Sequence, residues 1–158
     1  MESLIKEIKK KKELSDVSDE LIRDLLKNYL KRNNIQIPDN KKSRKAVIKE
    51  IRSEIRRYTG QYQVKSSFKK RLKLLENRET EELLKTHSST KERLEFYGEF
   101  KKIVYSYTPK SILDLGCGLN PIILSKKGID YYAYDIKESE LELIKEHFYK
   151  NKINGKVF

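Results

Sequence analysis

Two acidic residues and a pair of glycines stand in an order that could bind a nucleotide-like ligand. Asp114-Leu115-Gly116-Cys117-Gly118 follows a short apolar run, and Asp135 lies 21 positions after Asp114. Glycines let the backbone turn sharply and approach a ligand, and the helix expected next would offer free N–H groups. Asp135 could accept both hydrogen bonds of a ribose cis-diol, because one β-α-β step separates such residues by about 20 positions.

The same motif disfavours a dinucleotide as the ligand. A G-x-G-x-x-G fingerprint needs a third glycine at the position that Pro121 occupies. The shorter D-x-G-x-G pattern suits a cofactor without a pyrophosphate. In the alternative interpretation, the glycines only make a turn between a strand and a helix, and Asp135 caps the next helix.

The elements that would position these residues begin at Ser111, where the sequence pattern changes. The pattern predicts a buried strand at 111–115, a short helix from Pro121, a strand at 130–134, a helix at 137–151 and a strand from Gly155. This β-α-β-α-β order implies a doubly wound parallel sheet. Since the chain ends within that sheet, we expect the domain to be incomplete at its C-terminus.

Before Ser111 the apolar spacing predicts only helices. They cover residues 21–30, 41–58, about 64–85 and 88–107, with Gly60 ending the second and Ser89 or Thr90 capping the last. The inward side chains expected in the second helix are Ala46, Val47, Ile48, Ile51 and Ile55. The buried face expected in the last is Leu94, Phe96, Tyr97, Phe100, Ile103, Val104 and Tyr107.

The positive charge of the chain is concentrated in its first half. Residues 1–80 contain 23 Lys and Arg against 12 Asp and Glu, so they carry +11 of the total net charge of +12. This asymmetry indicates a polyanion-binding segment beside a nearly neutral one. A merely solubilising Lys-rich surface is the alternative.

Composition also disfavours several classes of protein. No run of about 18 apolar residues and no signal-peptide core is present, so we expect a cytoplasmic protein without a membrane partner. The single cysteine cannot form an internal disulfide. Together with two histidines it is too little for a zinc site, so we expect no metal centre.

The segments that could do chemistry resemble a known enzyme family. Asp114 to Gly118, with Asp135, resemble the first two signature motifs of class I S-adenosylmethionine-dependent methyltransferases. More narrowly, HSSTKERL at 87–94 and ILDLGCGLNP at 112–121 look like the H-x-S-T-R-E-R-L and G-L-N-P segments of aminoglycoside-resistance 16S ribosomal RNA guanine-N7 methyltransferases. RRYTGQY at 56–62 is similar to a helix end in that family's RNA-binding domain, and the resemblance covers roughly residues 41–136.

The resemblance implies S-adenosyl-L-methionine as cofactor and assigns residues to it. Segment 87–93 would lie beside the methionine carboxylate, so either Lys91 or Arg93 would pair with it. Lys91 stands where the family has Arg, so a bidentate contact is lost there. His87 is either catalytic or a helix-entry residue bonded to the backbone. Asp114, Gly116 and Gly118 are assigned to the methionine part and Asp135 to the ribose. Asn120 and Pro121 are also assigned to the cofactor site.

The resemblance also implies ribosomal RNA, or the small ribosomal subunit, as partner. Guanine N7 has an in-plane lone pair, so its methylation requires positioning and no strong general base, and we name no catalytic residue. Tyr58, Tyr62 and Phe68 could stack on a base, although aromatics at helical spacing are more often core. The side chains expected to hold RNA are Lys42, Arg44, Lys45, Lys49, Arg52, Arg56, Arg57, Lys69 and Lys70.

The sequence thus predicts an all-helical basic RNA-binding domain at 1–86 and a partial Rossmann-like cofactor domain at 87–158. The function expected is methylation of guanine N7 in small-subunit RNA. The alternatives are a methyltransferase of a protein or small molecule, and a non-catalytic RNA-binding chain with a vestigial cofactor fold. Whether the chain is a fragment, one part of a split protein or a shortened relative stays open. We expect it to be inactive without a missing C-terminal half.

Overall fold

The computed structural model describes residues 1–59 and 66–158, which form parts of two compact units, Met1–Gln61 and Tyr62–Phe158. The expected helix stop at Gly60 and the candidate aromatic Tyr62 lie outside the described residues. Within the described residues, no helix is long and apolar enough to cross a membrane.

The first unit is helical, as predicted. Its elements are α1 (Glu2–Lys9), a 3-10 turn (Lys12–Leu14), α2 (Asp19–Arg32) and α3 (Lys41–Thr59). Leu4, Ile8, Ile22, Leu26 and Ile51 are fully buried, so each of the three helices contributes to one core. Ala46 was expected inward and is instead exposed, because the stripe from Val47 to Ile55 faces the other side of α3.

The second unit begins with short helices where the sequence predicts two long ones. They are α4 (Phe68–Glu76), α5 (Thr80–Leu84), α6 (Ser88–Glu92), a 3-10 turn (Leu94–Phe96) and α7 (Tyr97–Ser106). The chain turns between α4 and α5 at Arg78, whose φ is +60°. The expected cap at Ser89 or Thr90 is also wrong: the α6 N-cap position is His87, and Thr90 is buried inside the helix.

The rest of this unit is the predicted parallel sheet, which confirms the fold class. Its strands are β1 (Ser111–Leu115), β2 (Asp130–Tyr134) and β3 (Gly155–Val157), paired in parallel in the order β1-β2-β3. Helices α8 (Pro121–Leu124) and α9 (Glu138–Asn151) connect them. Tyr131, Ala133, Ile144 and Phe148 form the core between the sheet and α9.

The burial expected for β1 and α7 is not observed. Leu113 and Leu115 in β1 are 66% and 70% exposed, because among the described residues α8 and α9 cover only the other face of the sheet. Of the apolar face expected along residues 94–107, only Tyr97 is buried. The side chains of that face that are instead exposed are Phe96, Phe100, Ile103 and Tyr107.

Helices α4 and α5 pack with α8 and α9, the helices that connect the strands, although the sequence assigned them to the basic region. Leu83 and Leu84 are buried in one cluster with Leu119, Ile122 and Leu143. Part of the positively charged first half therefore belongs structurally to the second unit. The functional division into 1–86 and 87–158 stays a prediction.

Candidate functional site

The loop after β1 has the backbone that its glycines predict. Gly116 and Gly118 have φ of +66° and +49°, in the left-handed region that L-residues with side chains rarely adopt. A Cβ on Gly118 would also lie 3.0 Å from the His87 ring. Gly118 is therefore required both by its backbone conformation and by its packing.

The expected free N–H groups at the next helix are not found. Asn120 N donates to Cys117 O at 3.0 Å, and Ile122 N donates to Leu119 O at 3.1 Å. Pro121 has no N–H to offer. The loop closes on itself through tight turns, which the sequence pattern could not distinguish from an open helix start.

Asp135 joins the loops that follow β1 and β2. Its Oδ2 accepts from Gly118 N–H at 2.9 Å, and its Oδ1 accepts from Lys137 N–H at 3.0 Å. Burial raises the pKa of Asp135, and these two hydrogen bonds oppose that rise. Each carboxylate oxygen has a further lone pair, so bonding to a diol and bonding to the backbone are compatible.

Asp114 lies within a polar network that the sequence analysis missed. The Tyr131 hydroxyl donates to Asp114 Oδ2 at 2.7 Å, and the Asn120 side chain lowers the pKa of Asp114. The Tyr97 hydroxyl in turn donates to Asn120 Oδ1 at 2.7 Å. Both tyrosines were interpreted only as strand or core residues, since apolar periodicity does not show where a hydroxyl points.

Arg93 and Lys91, the two candidates for a carboxylate contact, differ in environment. Lys91 is exposed. Arg93 is half-buried; its guanidinium donates to the Ser89 carbonyl and hydroxyl at 2.8 and 3.0 Å. It also lines a pocket of about 240 Å³ with Phe96, Tyr97 and Phe100. The Arg93 guanidinium is therefore held in one orientation by Ser89.

A buried ion pair ties α4 to α9. Arg71 bonds both oxygens of Glu140, with Nη1 to Oε1 at 3.0 Å and a second contact from Nη2 to Oε2. The two side chains are 6% and 1% exposed. The charges of this pair act on the neighbouring His87 ring, whose pKa is lowered chiefly by burial. In the sequence, Arg71 directly follows Lys69 and Lys70, and nothing there distinguishes it from these exposed cations.

His147 in α9 is buried in a neutral form. Asn151 Nδ2 donates to His147 Nδ1 at 3.2 Å, so Nε2 carries the proton and faces Ser125 Oγ at 3.0 Å. Burial lowers the pKa of His147 to about 4.

We expect this histidine to make stability depend on pH in a defined window. The unfolded state takes up the proton near pH 6.5 and the folded state only near 4, so stability from this group is complete above pH 6.5 and is lost as pH falls towards 4. The slope should reach about 1.4 kcal/mol per pH unit. Urea unfolding between these pH values measures it. In His147→Gln, the part of the pH dependence that His147 causes should vanish. Equal slopes in the wild type and the variant would show that His147 is not its source.

The basic residues of α3 divide into structural and exposed ones. Arg44 bonds Glu7 at 2.7 Å, Arg56 bonds Glu13 at 2.9 Å, and Arg52 donates to the carbonyls of Glu7 and Ile8. Arg44 and Arg52, two of the side chains expected to hold RNA, are partly buried and hold α1 against α3.

The exposed cations are the remaining candidates for polyanion contact. They are Lys42, Lys45, Lys49, Arg56 and Arg57 in the first unit, and Lys69 and Lys70 in the second; Arg56 is exposed although it pairs with Glu13. Lys45 and Lys49 line a cleft of about 330 Å³ together with Lys10, Lys11 and Arg52. Tyr58 and Phe68 are exposed, so core packing does not account for either aromatic side chain.

A glycine loop after one parallel strand and an acid after the next define a Rossmann-like fold of the methyltransferase type. Solved structures support this class: the 16S rRNA methylase RmtB superposes with a TM-score of 0.80 at 23% identity, over 99% of this chain and 63% of that one. The 16S rRNA methyltransferase RmtF, solved with S-adenosyl-L-homocysteine, gives 0.74 at 24% identity, over 99% and 61%.

The chain belongs to the ribosomal RNA methyltransferase (FmrO) family, whose sequence model matches residues 77–157. A 16S rRNA (guanine(1405)-N(7))-methyltransferase of Serratia marcescens is 34% identical over 89 residues, which are 56% of this chain and 36% of that protein. A Frankia casuarinae protein of the same name is 36% identical over 67 residues, 39% of this chain and 24% of that one. The matched segments thus span about a third of the first relative and a quarter of the second. The family match confirms the resemblance of the motifs to ribosomal RNA methyltransferases.

Proposed function

We propose that this chain supplies the cofactor-binding and RNA-binding parts of an S-adenosyl-L-methionine-dependent methyltransferase that acts on guanine N7 of 16S ribosomal RNA. The observation that carries the proposal is the Asp135–Gly118 hydrogen bond, which joins the glycine loop to an acid at the carboxyl edge of the sheet. Family membership and the names of the relatives supply the substrate class. Such a substrate implies a cytoplasmic location.

The loop and its neighbours hold the cofactor in this proposal. Gly116 and Gly118 let the methionine part approach the backbone, and Asp135 accepts hydrogen bonds from the ribose hydroxyls. Arg93 faces the methionine carboxylate across from Asp114, and exposed Lys91 adds charge at longer range. Asn120 and Pro121 fix the turn into α8.

The reaction needs little beyond alignment. The sulfonium cofactor supplies an electrophilic methyl group, and the N7 lone pair is the nucleophile, so no proton needs to be removed before attack. The protein has to hold the base in line and exclude water. Exposed Tyr58 and Phe68 could stack on bases of the RNA, and the exposed cations hold its phosphates.

We expect the α3 surface to contribute specifically to RNA affinity. Replacing Lys45 and Lys49 with Ala should reduce the slope of log affinity against log salt by roughly 2, because each lysine neutralises about one phosphate. Binding of a 16S fragment across a salt series gives this slope. The control is Lys27→Ala with Lys31→Ala on α2, which changes net charge equally. Equal slopes and affinities in the two double variants would show that Lys45 and Lys49 bind RNA no more strongly than two lysines of α2.

We also expect a polypeptide of these 158 residues, taken alone, not to methylate RNA at a useful rate. In the described residues, the proposed cofactor contacts come from the loops after β1 and β2 and from residues 91–93, and no described residue is assigned to the acceptor side of the site. A misplacement of about 1 Å can cost a hundredfold in rate. In the relatives, the part that this chain does not match would supply that wall. Transfer of a labelled methyl group to isolated small subunits tests this, and robust single-site incorporation would refute it.

A further inference from the structure

The polar network beneath the glycine loop connects three elements through side chains that have little contact with solvent. Tyr97 begins α7 and is 4% exposed, Asn120 stands before α8 and is 6% exposed, and Tyr131 in β2 is fully buried. Two hydrogen bonds define it: Tyr131 donates to Asp114, and Tyr97 donates to Asn120, whose side chain in turn lowers the pKa of Asp114. A buried network is costly unless its members are bonded, so its geometry is specific.

We propose that Tyr97 and Tyr131 are positioning residues, which fix Asn120 and Asp114 in place before the cofactor binds. This proposal rests on the proposed function, since it assumes that the loop holds S-adenosyl-L-methionine. Tyr131 orients the Asp114 carboxylate directly. Tyr97 orients the Asn120 amide so that its NH₂ group is turned towards Asp114.

The network also affects the pKa of Asp114. Burial raises the pKa of Asp114, whereas the Tyr131 hydrogen bond, the Asn120 side chain and the charge of Arg93 lower it, and the nearby Asp135 raises it. Burial keeps Tyr97 a protonated donor by raising its pKa to about 12, and it raises the pKa of Tyr131 as well. Removing either hydroxyl takes away an interaction that opposes the effect of burial on Asp114. The pKa of Asp114 should therefore rise relative to that of the wild type.

The test uses variants that delete one oxygen each. Tyr131→Phe and Tyr97→Phe keep the ring, and Tyr105→Phe is the matched control because its hydroxyl bonds the Leu124 carbonyl outside the network. The Asp114 carboxyl is titrated by carbon NMR in the ligand-free 158-residue chain, and S-adenosyl-L-homocysteine affinity is measured by calorimetry from pH 5 to 8. Thermal unfolding confirms that each variant is folded.

The expected result is a raised Asp114 pKa in Tyr131→Phe, a smaller rise in Tyr97→Phe and none in Tyr105→Phe. Cofactor affinity should fall about tenfold or more in Tyr131→Phe, as for a hydrogen bond to a charged group, with its pH profile displaced to higher pH. An unchanged Asp114 titration in both network variants overturns the inference. If the titration shifts and the wild-type chain binds no ligand, the network stands and the proposed cofactor is wrong.

Discussion

Replacing Arg71 with Ala should lower the free energy of unfolding of the second unit by about 3–5 kcal/mol, the cost of leaving a buried charge without its partner. Glu140 is 1% exposed and loses both of its bonds to the guanidinium in this variant. The effect should be read from hydrogen exchange of the β2 amides in urea, because these amides report on the second unit alone.

Two controls separate this effect from a general loss of surface charge. Lys150→Ala breaks an exposed ion pair with Glu76, at 3.7 Å, and should cost less than about 1 kcal/mol. The double variant Arg71→Met with Glu140→Leu should recover most of the stability, because it removes both buried charges together. An Arg71→Ala protein as stable as Lys150→Ala would show that the pair is not buried as described.

Gly118→Val should abolish detectable cofactor binding. Its φ of +49° costs a side-chain-bearing residue roughly 1–2 kcal/mol, and the added Cβ would lie 3.0 Å from the His87 ring. The loop would have to move, and the N–H that bonds Asp135 would move with it. Calorimetry with S-adenosyl-L-homocysteine measures the loss.

Gly98→Val is the control for this substitution. Gly98 is exposed in α7, and a Cβ there would have nothing within 4 Å. It should leave binding and stability nearly unchanged. Equal cofactor affinity in the Gly118 and Gly98 variants would show that the glycine loop does not bind the cofactor.

The strands and the loop between them were predictable because their signals are local. Glycine permits the positive φ that a tight turn after a strand needs at Gly116 and Gly118, and the alternation of strand and short helix predicts a parallel sheet. The position of Asp135 follows from the length of one β-α-β step. The sequence therefore places Asp135 and the glycine loop at the same edge of the sheet. In the structure, Gly118 N lies 2.9 Å from Asp135 Oδ2.

Partners far apart in sequence were not predictable. Arg71 and Glu140 are 69 positions apart, and nothing in a basic helix marks the one cation that turns inward. Arg52 likewise reads as exposed until α1 is placed against α3. Periodicity also identifies an apolar face without saying what covers it, which is why Phe100 and Ile103 were expected to be buried.

The most direct test of the central claim is titration of S-adenosyl-L-homocysteine into the 158-residue chain and its Asp135→Ala variant. The proposal predicts saturable one-to-one binding to the wild type. In Asp135→Ala it should be weaker by about 1.5–3 kcal/mol, because the ribose loses a charged acceptor and the Gly118 loop loses its bond to the carboxylate. No binding to the wild type, or equal affinity in the two proteins, would contradict the account.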